Sequence, residues 1–92
     1  MYQAQPLAQH WSRVSKVNEE LGEAVNELIG ITGQNPRKGF YGSHDNLIKE
    51  LLDTCTTALY AVEHFTKTGD TMSRLEDHID YQHDRIFNGT DN

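Results

Sequence analysis

Between positions 7 and 29 the apolar residues recur at helical spacing. At about 100° per residue, Leu7, Trp11, Val14, Val17, Leu21, Val25, Leu28 and Ile29 share one broad arc. Lys16, Glu19, Glu20, Glu23 and Glu27 lie on the other side. The pattern predicts a strongly two-faced helix over 7–29, and Pro6 suits its start because the first helical turn needs no N–H donor there. Such a helix needs another apolar surface to cover its stripe, which restricts the chain to folds in which helix packs on helix.

The rest of the chain extends that reading. "GITGQNPRKGFYGSHD" holds Gly30, Gly33, Gly39, Gly42 and Pro36, the main concentration of structure breakers, and predicts a glycine-rich loop over 30–44. A loop of that length is long for a small domain, and long loops are often functional. Ser43 or Asp45 can cap a second helix over 45–66. Its apolar side is Leu47, Ile48, Leu51, Leu52, Cys55, Ala58, Leu59, Val62 and Phe65, with Glu50 and Asp53 on the flank. "TKTGDT" breaks the chain at Gly69. A third helix over 71–87 carries Met72, Leu75, Ile79 and Ile86 as a narrow seam of the two-helix kind, and 88–92 is expected to fray. No internal repeat and no strand-like alternation occurs. The expected fold is all-α, a helical bundle of three helices per chain forming one domain over 1–92. With 92 residues, 36% of them hydrophobic, the core is modest, so the helices are expected to pack against another subunit.

Charge and cysteine content narrow the partners. The net charge of -6 argues against a nucleic-acid polymer, which usually meets a basic patch. It leaves room for a small phosphorylated ligand, because a divalent cation can join acidic protein to acidic ligand. No apolar run approaches the roughly 20 residues of a membrane span. The opening "MYQAQPLAQHWSR" lacks the pattern of a signal peptide. One thiol, Cys55, forms no internal disulfide, and a reducing, cytoplasmic setting is expected. Without a secretion signal, "NGT" at 88–90 reads as a chance sequon.

The acids pose the sharper question. "NEELGEAVNELIG" crowds Glu19, Glu20, Glu23 and Glu27 onto one helix, where like charges three or four apart repel. Glu20 and Glu23 project from one face, and so do Glu50 and Asp53 on the second helix. Two such pairs on facing helices can supply four oxygen ligands. Mg²⁺ takes oxygens in near-octahedral geometry and keeps positions for water or phosphate. No Cys or His stands at zinc-ligand spacing. Gly22 among the acids would let a ligand or backbone approach closely, or is simply a tolerated helix glycine. Taken alone, "EELGE" reads as an ordinary solvated helix face. The conjunction of acidic triplet, glycine-rich loop and second acidic pair is what favours a metal.

"EELGE" followed by "ELLD", with residues 24–49 between them, resembles the E-E-x-x-E … E-x-x-D signature of the MazG-like nucleotide pyrophosphohydrolases. "GITGQNPRKG" is similar to the linker of small MazG-like proteins, and the resemblance covers about residues 10–66. It implies that Glu20, Glu23, Glu50 and Asp53 ligate Mg²⁺, with Mn²⁺ as a possible substitute. Glu19 would be a further ligand, a second-metal ligand or a base that orients water. The implied reaction is hydrolysis of a nucleoside triphosphate to monophosphate and pyrophosphate, and the implied assembly is a homodimer or homotetramer.

Other residues carry paired readings. Lys16 either contacts a phosphate or forms an i, i+4 ion pair with Glu20. Asn35, Arg37 and Lys38 in the loop either grip phosphate oxygens or line a solvated turn; the order of a Walker A loop is absent. Trp11 reads mainly as core, whereas Phe40, Tyr41 and Tyr60 are candidates to stack on a base. His64 reads as a satisfied interface histidine, His78 and His83 as surface or subunit contacts, and Cys55 as a buried thiol. The alternative function is a helical oligomer that binds a nucleotide or signalling molecule without catalysis, or one that is purely structural.

Overall fold

The computed structural model describes residues 4–88, with side chains described over 7–87. Most of the tail, with Gly89 and Thr90 of the sequon, lies outside that range. Three helices and no strand make up the described residues: α1 over Ala4–Thr32, α2 over His44–Thr66 and α3 over Thr71–Asn88. The expected order holds. The first helix is longer than 7–29 at both ends, so Pro6 falls in its first turn, where proline is tolerated. The loop shortens accordingly.

Local chemistry sets the ends. Gly33 (φ 64°) closes α1, its N–H donating to Gly30 O and the Gln34 N–H to Ile29 O, a Schellman arrangement. Ser43 caps α2 by accepting a hydrogen bond from the Asn46 N–H at 3.1 Å, which resolves the choice between Ser43 and Asp45. Lys67 (φ 55°) ends α2 in the left-handed region. Glu63 then organises the turn to α3, accepting from the Gly69 N–H at 3.1 Å and the Thr71 hydroxyl at 2.7 Å.

α1 and α2 pack as an antiparallel pair, whereas α3 touches only α2. The radius of gyration is 17.4 Å, against about 12 Å for a compact domain of this length. The chain is therefore splayed, and its buried hydrophobic residues are Ala24 (2% exposed) and Ala61 (8%).

The faces that meet take in Val17 and Leu47 of the apolar stripes but leave most of their large residues outside. Along α1 the partly or fully buried positions include His10, Val17, Glu20, Ala24, Glu27 and Ile31; along α2 they include Leu47, Glu50, Thr54, Thr57, Ala61 and His64. Both series step by three, four or seven, the spacing of a helix-pair seam. Small residues in that seam bring the backbones close, and Gly30 is buried under Tyr41, whose ring and carbonyl a Cβ would strike. The expected stripes lie one step round each helix and face outward: Leu7, Trp11, Val14, Leu21, Val25 and Leu28 on α1, and Ile48, Leu51, Leu52, Val62 and Phe65 on α2. Two readings need correction. Trp11, expected in the core, is 76% exposed, and Cys55, expected to be buried, is exposed. Periodicity locates an apolar stripe but does not say which neighbour covers it. Of the α3 seam, only Leu75 is half-buried, against α2; Met72, Ile79 and Ile86 are exposed.

Candidate metal centre

The seam carries acids because its two series are in antiparallel register. Glu20 on α1 meets Glu50 and Asp53 on α2, and one carboxylate oxygen from each lies within 4.8 Å of the others. In an octahedral Mg²⁺ shell ligand oxygens stand about 3.0 Å apart when adjacent and about 4.2 Å when opposite, so the three side chains would draw together to hold one. All three side chains are half-buried. Glu50 Oε2 is shielded from solvent and has no hydrogen-bond partner. A desolvated carboxylate oxygen without a donor is unfavourable, and a cation would satisfy it. The all-oxygen donor set suits Mg²⁺ or Mn²⁺.

The remaining acids separate into distinct roles. Glu23 stands beside Glu50 rather than within the triad, and its carboxyl holds its proton more tightly than the ordinary 4.5. The first cause is the Glu50 side chain alongside, to which the carboxyl can hydrogen-bond only while it keeps its proton; repulsion from Glu20 and Glu50 adds to it. Glu19 lies outside the triad, in an ion pair with Lys16 at 3.7 Å. Lys16 also reaches Glu20 at 3.7 Å, so its i, i+4 pair is formed. Glu27, without a motif partner in the sequence, accepts a hydrogen bond from the Ser43 N–H at 3.3 Å and ties the loop to α1.

Lys49 escaped the sequence reading. Its Nζ donates to Asp53 Oδ2 at 3.0 Å and lies 3.6 Å from Glu50 Oε1. The hydrogen bond and charge of Asp53, then the charge of Glu50, push its pKa up. The signal was present in its position one residue before Glu50 and four before Asp53.

Two open clefts share Glu19, and the first also takes in Glu50 of the triad. One, of about 590 Å³, is lined by Glu19, Gly22, Glu23, Asn26, Glu27 and Glu50. A Cβ at Gly22 would have nothing within 4 Å, so no backbone of this chain approaches it; the glycine widens the cleft instead. The other, of about 520 Å³, runs between α1 and α2 past Arg13, Lys16, Glu19, Thr57 and Tyr60. Arg13 is a second cation that the sequence reading did not single out.

The loop meets the acids at Glu27 but sends no cation into an ion pair with the triad. Asn35 builds a turn, its side chain accepting from the Arg37 N–H at 3.1 Å and its carbonyl from Lys38 and Gly39. Arg37 and Lys38 are exposed and form no ion pair with the triad. Phe40 is 80% exposed, whereas Tyr41 is held by a 2.9 Å hydrogen bond to Asn26 and by its packing on Gly30. Tyr60 is exposed beside the Arg13 and Lys16 cleft. At the far end of the helix pair, His64 bonds to His10 at 2.8 Å.

No family model, curated protein or solved structure matches the chain.

Proposed function

We propose that this chain is a Mg²⁺-dependent nucleoside triphosphate pyrophosphohydrolase. The carrying observation is the convergence of Glu20, Glu50 and Asp53 from two helices around the unpartnered Glu50 Oε2. The likeness of "EELGE" and "ELLD" to the MazG-like signature supports the reaction class. Glu20, Glu50 and Asp53 hold the ion, which when bound neutralises phosphate oxygens and lowers the pKa of water. Glu23, adjacent to Glu50 but outside the triad, would take the proton of the attacking water in its ionised form, which a cation on Glu50 favours by offsetting the repulsion between the acids. The water oxygen bonds to the α-phosphorus, and the anhydride bond between the α-phosphorus and the oxygen bridging to the β-phosphate breaks, so that monophosphate and pyrophosphate leave. Arg13 and Lys16 beside the neighbouring cleft suit the substrate phosphates, and the exposed Tyr60 ring suits a base.

The working unit in this reading is a homodimer or homotetramer. Supporting it are the outward apolar stripes of α1 and α2 and the near-absence of a core within one chain. Exposed apolar surface of that extent marks an interface in water.

The test is calorimetric titration with Mg²⁺, followed by pyrophosphate release from a panel of nucleoside triphosphates. Glu50→Gln and Asp53→Asn should lose both while keeping the helical circular-dichroism signal. Nucleotide binding without turnover in the unmutated protein would move the reading to a non-catalytic binding module. Absence of both binding and turnover would dismiss it.

A further inference from the structure

Among the cations near the triad, Lys49 is the one that engages two of its three acids. Its Nζ is within hydrogen-bond distance of Asp53 Oδ2, at 3.0 Å, and 3.6 Å from Glu50 Oε1. Lys16 makes a looser version of the same arrangement on α1, at 3.7 Å from Glu20, and its other partner is Glu19, outside the triad. The Lys49 side chain is 66% exposed, so its ammonium can leave the acids for water without rearranging anything packed. It also fails to complete the centre, because Glu50 Oε2 remains without a donor.

We propose that Lys49 is the resident counter-cation of this centre and a direct competitor of the metal, holding Asp53 and Glu50 in the metal-free chain and releasing them when the ion binds. The inference rests on the reading of Glu20, Glu50 and Asp53 as a metal site. Its physical basis is exclusion. A cation held by these carboxylates and an ammonium paired with two of the same groups repel each other, so each disfavours the other. A monovalent placeholder limits the repulsion among the acids while the metal is absent. It also weakens metal affinity and leaves a mobile ammonium at the rim of the site once metal is in place.

Calorimetric titration with Mg²⁺ tests this on the full chain, comparing the unmutated protein with Lys49→Met, Lys49→Arg and Lys16→Met. Lys49→Met should tighten Mg²⁺ binding by on the order of fivefold, the scale expected for losing one exposed ion pair. Lys49→Arg, which keeps the cation and its fork of donors, should not tighten it. Lys16→Met should have a smaller effect than Lys49→Met. The melting temperature supplies a second readout: Lys49→Met should lower it in chelator and not in saturating Mg²⁺. Equal tightening by Lys16→Met and Lys49→Met would reduce Lys49 to a general field effect and overturn the proposal. Unchanged or weaker Mg²⁺ binding by Lys49→Met would also overturn it. If the unmutated protein binds no Mg²⁺, the metal reading falls and this inference falls with it.

Discussion

His10 Nδ1 and His64 Nε2 lie 2.8 Å apart, joining the first half of α1 to the last turn of α2. The Phe65 ring packs against both, with centroids 4.8 Å from His10 and 5.0 Å from His64. This contact fixes an antiparallel register. Moving about ten residues forward along α1 and about ten back along α2, at about 1.5 Å per residue, brings Glu20 opposite Glu50 and Asp53. The alignment of the acids is thus set by contacts at the other end of the helix pair.

A first prediction follows from the histidine pair. His64 holds its proton less tightly than the ordinary 6.5, because desolvation disfavours the charge and His10, Arg13 and Lys67 repel it. A histidine whose folded pKa is depressed is more protonated in the unfolded chain. Its stabilising contribution is therefore complete above pH 6.5 and is lost as pH falls through the lowered folded value. Urea unfolding across that window should show the loss, and His64→Gln should flatten it.

Glu23 gives the opposite slope. Its folded pKa is raised above 4.5, so the protonated carboxyl stabilises the metal-free chain below 4.5 and the benefit disappears as pH rises through the raised value. A metal needs the acids ionised, so the increase in melting temperature caused by Mg²⁺ should shrink as pH is lowered through the same window. Glu23→Gln should remove the pH-dependent stabilisation of the metal-free chain without unfolding it.

Gly30→Ala should destabilise the chain by about 1–3 kcal/mol, the usual range for overpacking. The added methyl meets the Tyr41 ring and carbonyl, and the carbonyl is held by the chain itself. The gain in helix propensity, up to about 1 kcal/mol, does not offset a backbone collision. The change in the denaturant midpoint reads this directly.

Light scattering should give a particle larger than the 10.5 kDa chain. Leu21→Glu or Leu51→Glu, each on an outward apolar stripe, should shift it towards monomer and lower its stability. Glu27→Gln, on the inner seam, should leave its size unchanged.

Helix number, order and approximate bounds were legible because apolar periodicity and the Gly and Pro clusters report local backbone preference. The proximity of Glu20, Glu50 and Asp53 was legible from i, i+3 spacing on two helices, and the structure brings those three together. The facing surfaces were less legible. Apolar spacing pointed to Leu21 and Leu51, whereas Ala24 and Ala61 are the buried residues between the helices and Gly30 is covered by Tyr41, and small residues leave little hydrophobic signal. Glu23 was grouped with Glu20 because a three-residue step shares a face; it comes beside Glu50 of the second helix, outside the three acids whose oxygens converge. Lys49 was passed over because a lysine beside acids reads as a solvated charge until its ammonium is located. Arg37 and Lys38 carried the right chemistry for phosphate; they are exposed beyond the turn built by Asn35 and form no ion pair with the triad.

The central claim is tested most directly by following a nucleoside triphosphate with the protein and Mg²⁺ by phosphorus NMR. The account predicts that monophosphate and pyrophosphate signals grow together, stop on chelation, and do not appear with Asp53→Asn. An unchanged triphosphate spectrum across the nucleotide panel, or release of orthophosphate in place of pyrophosphate, would contradict it.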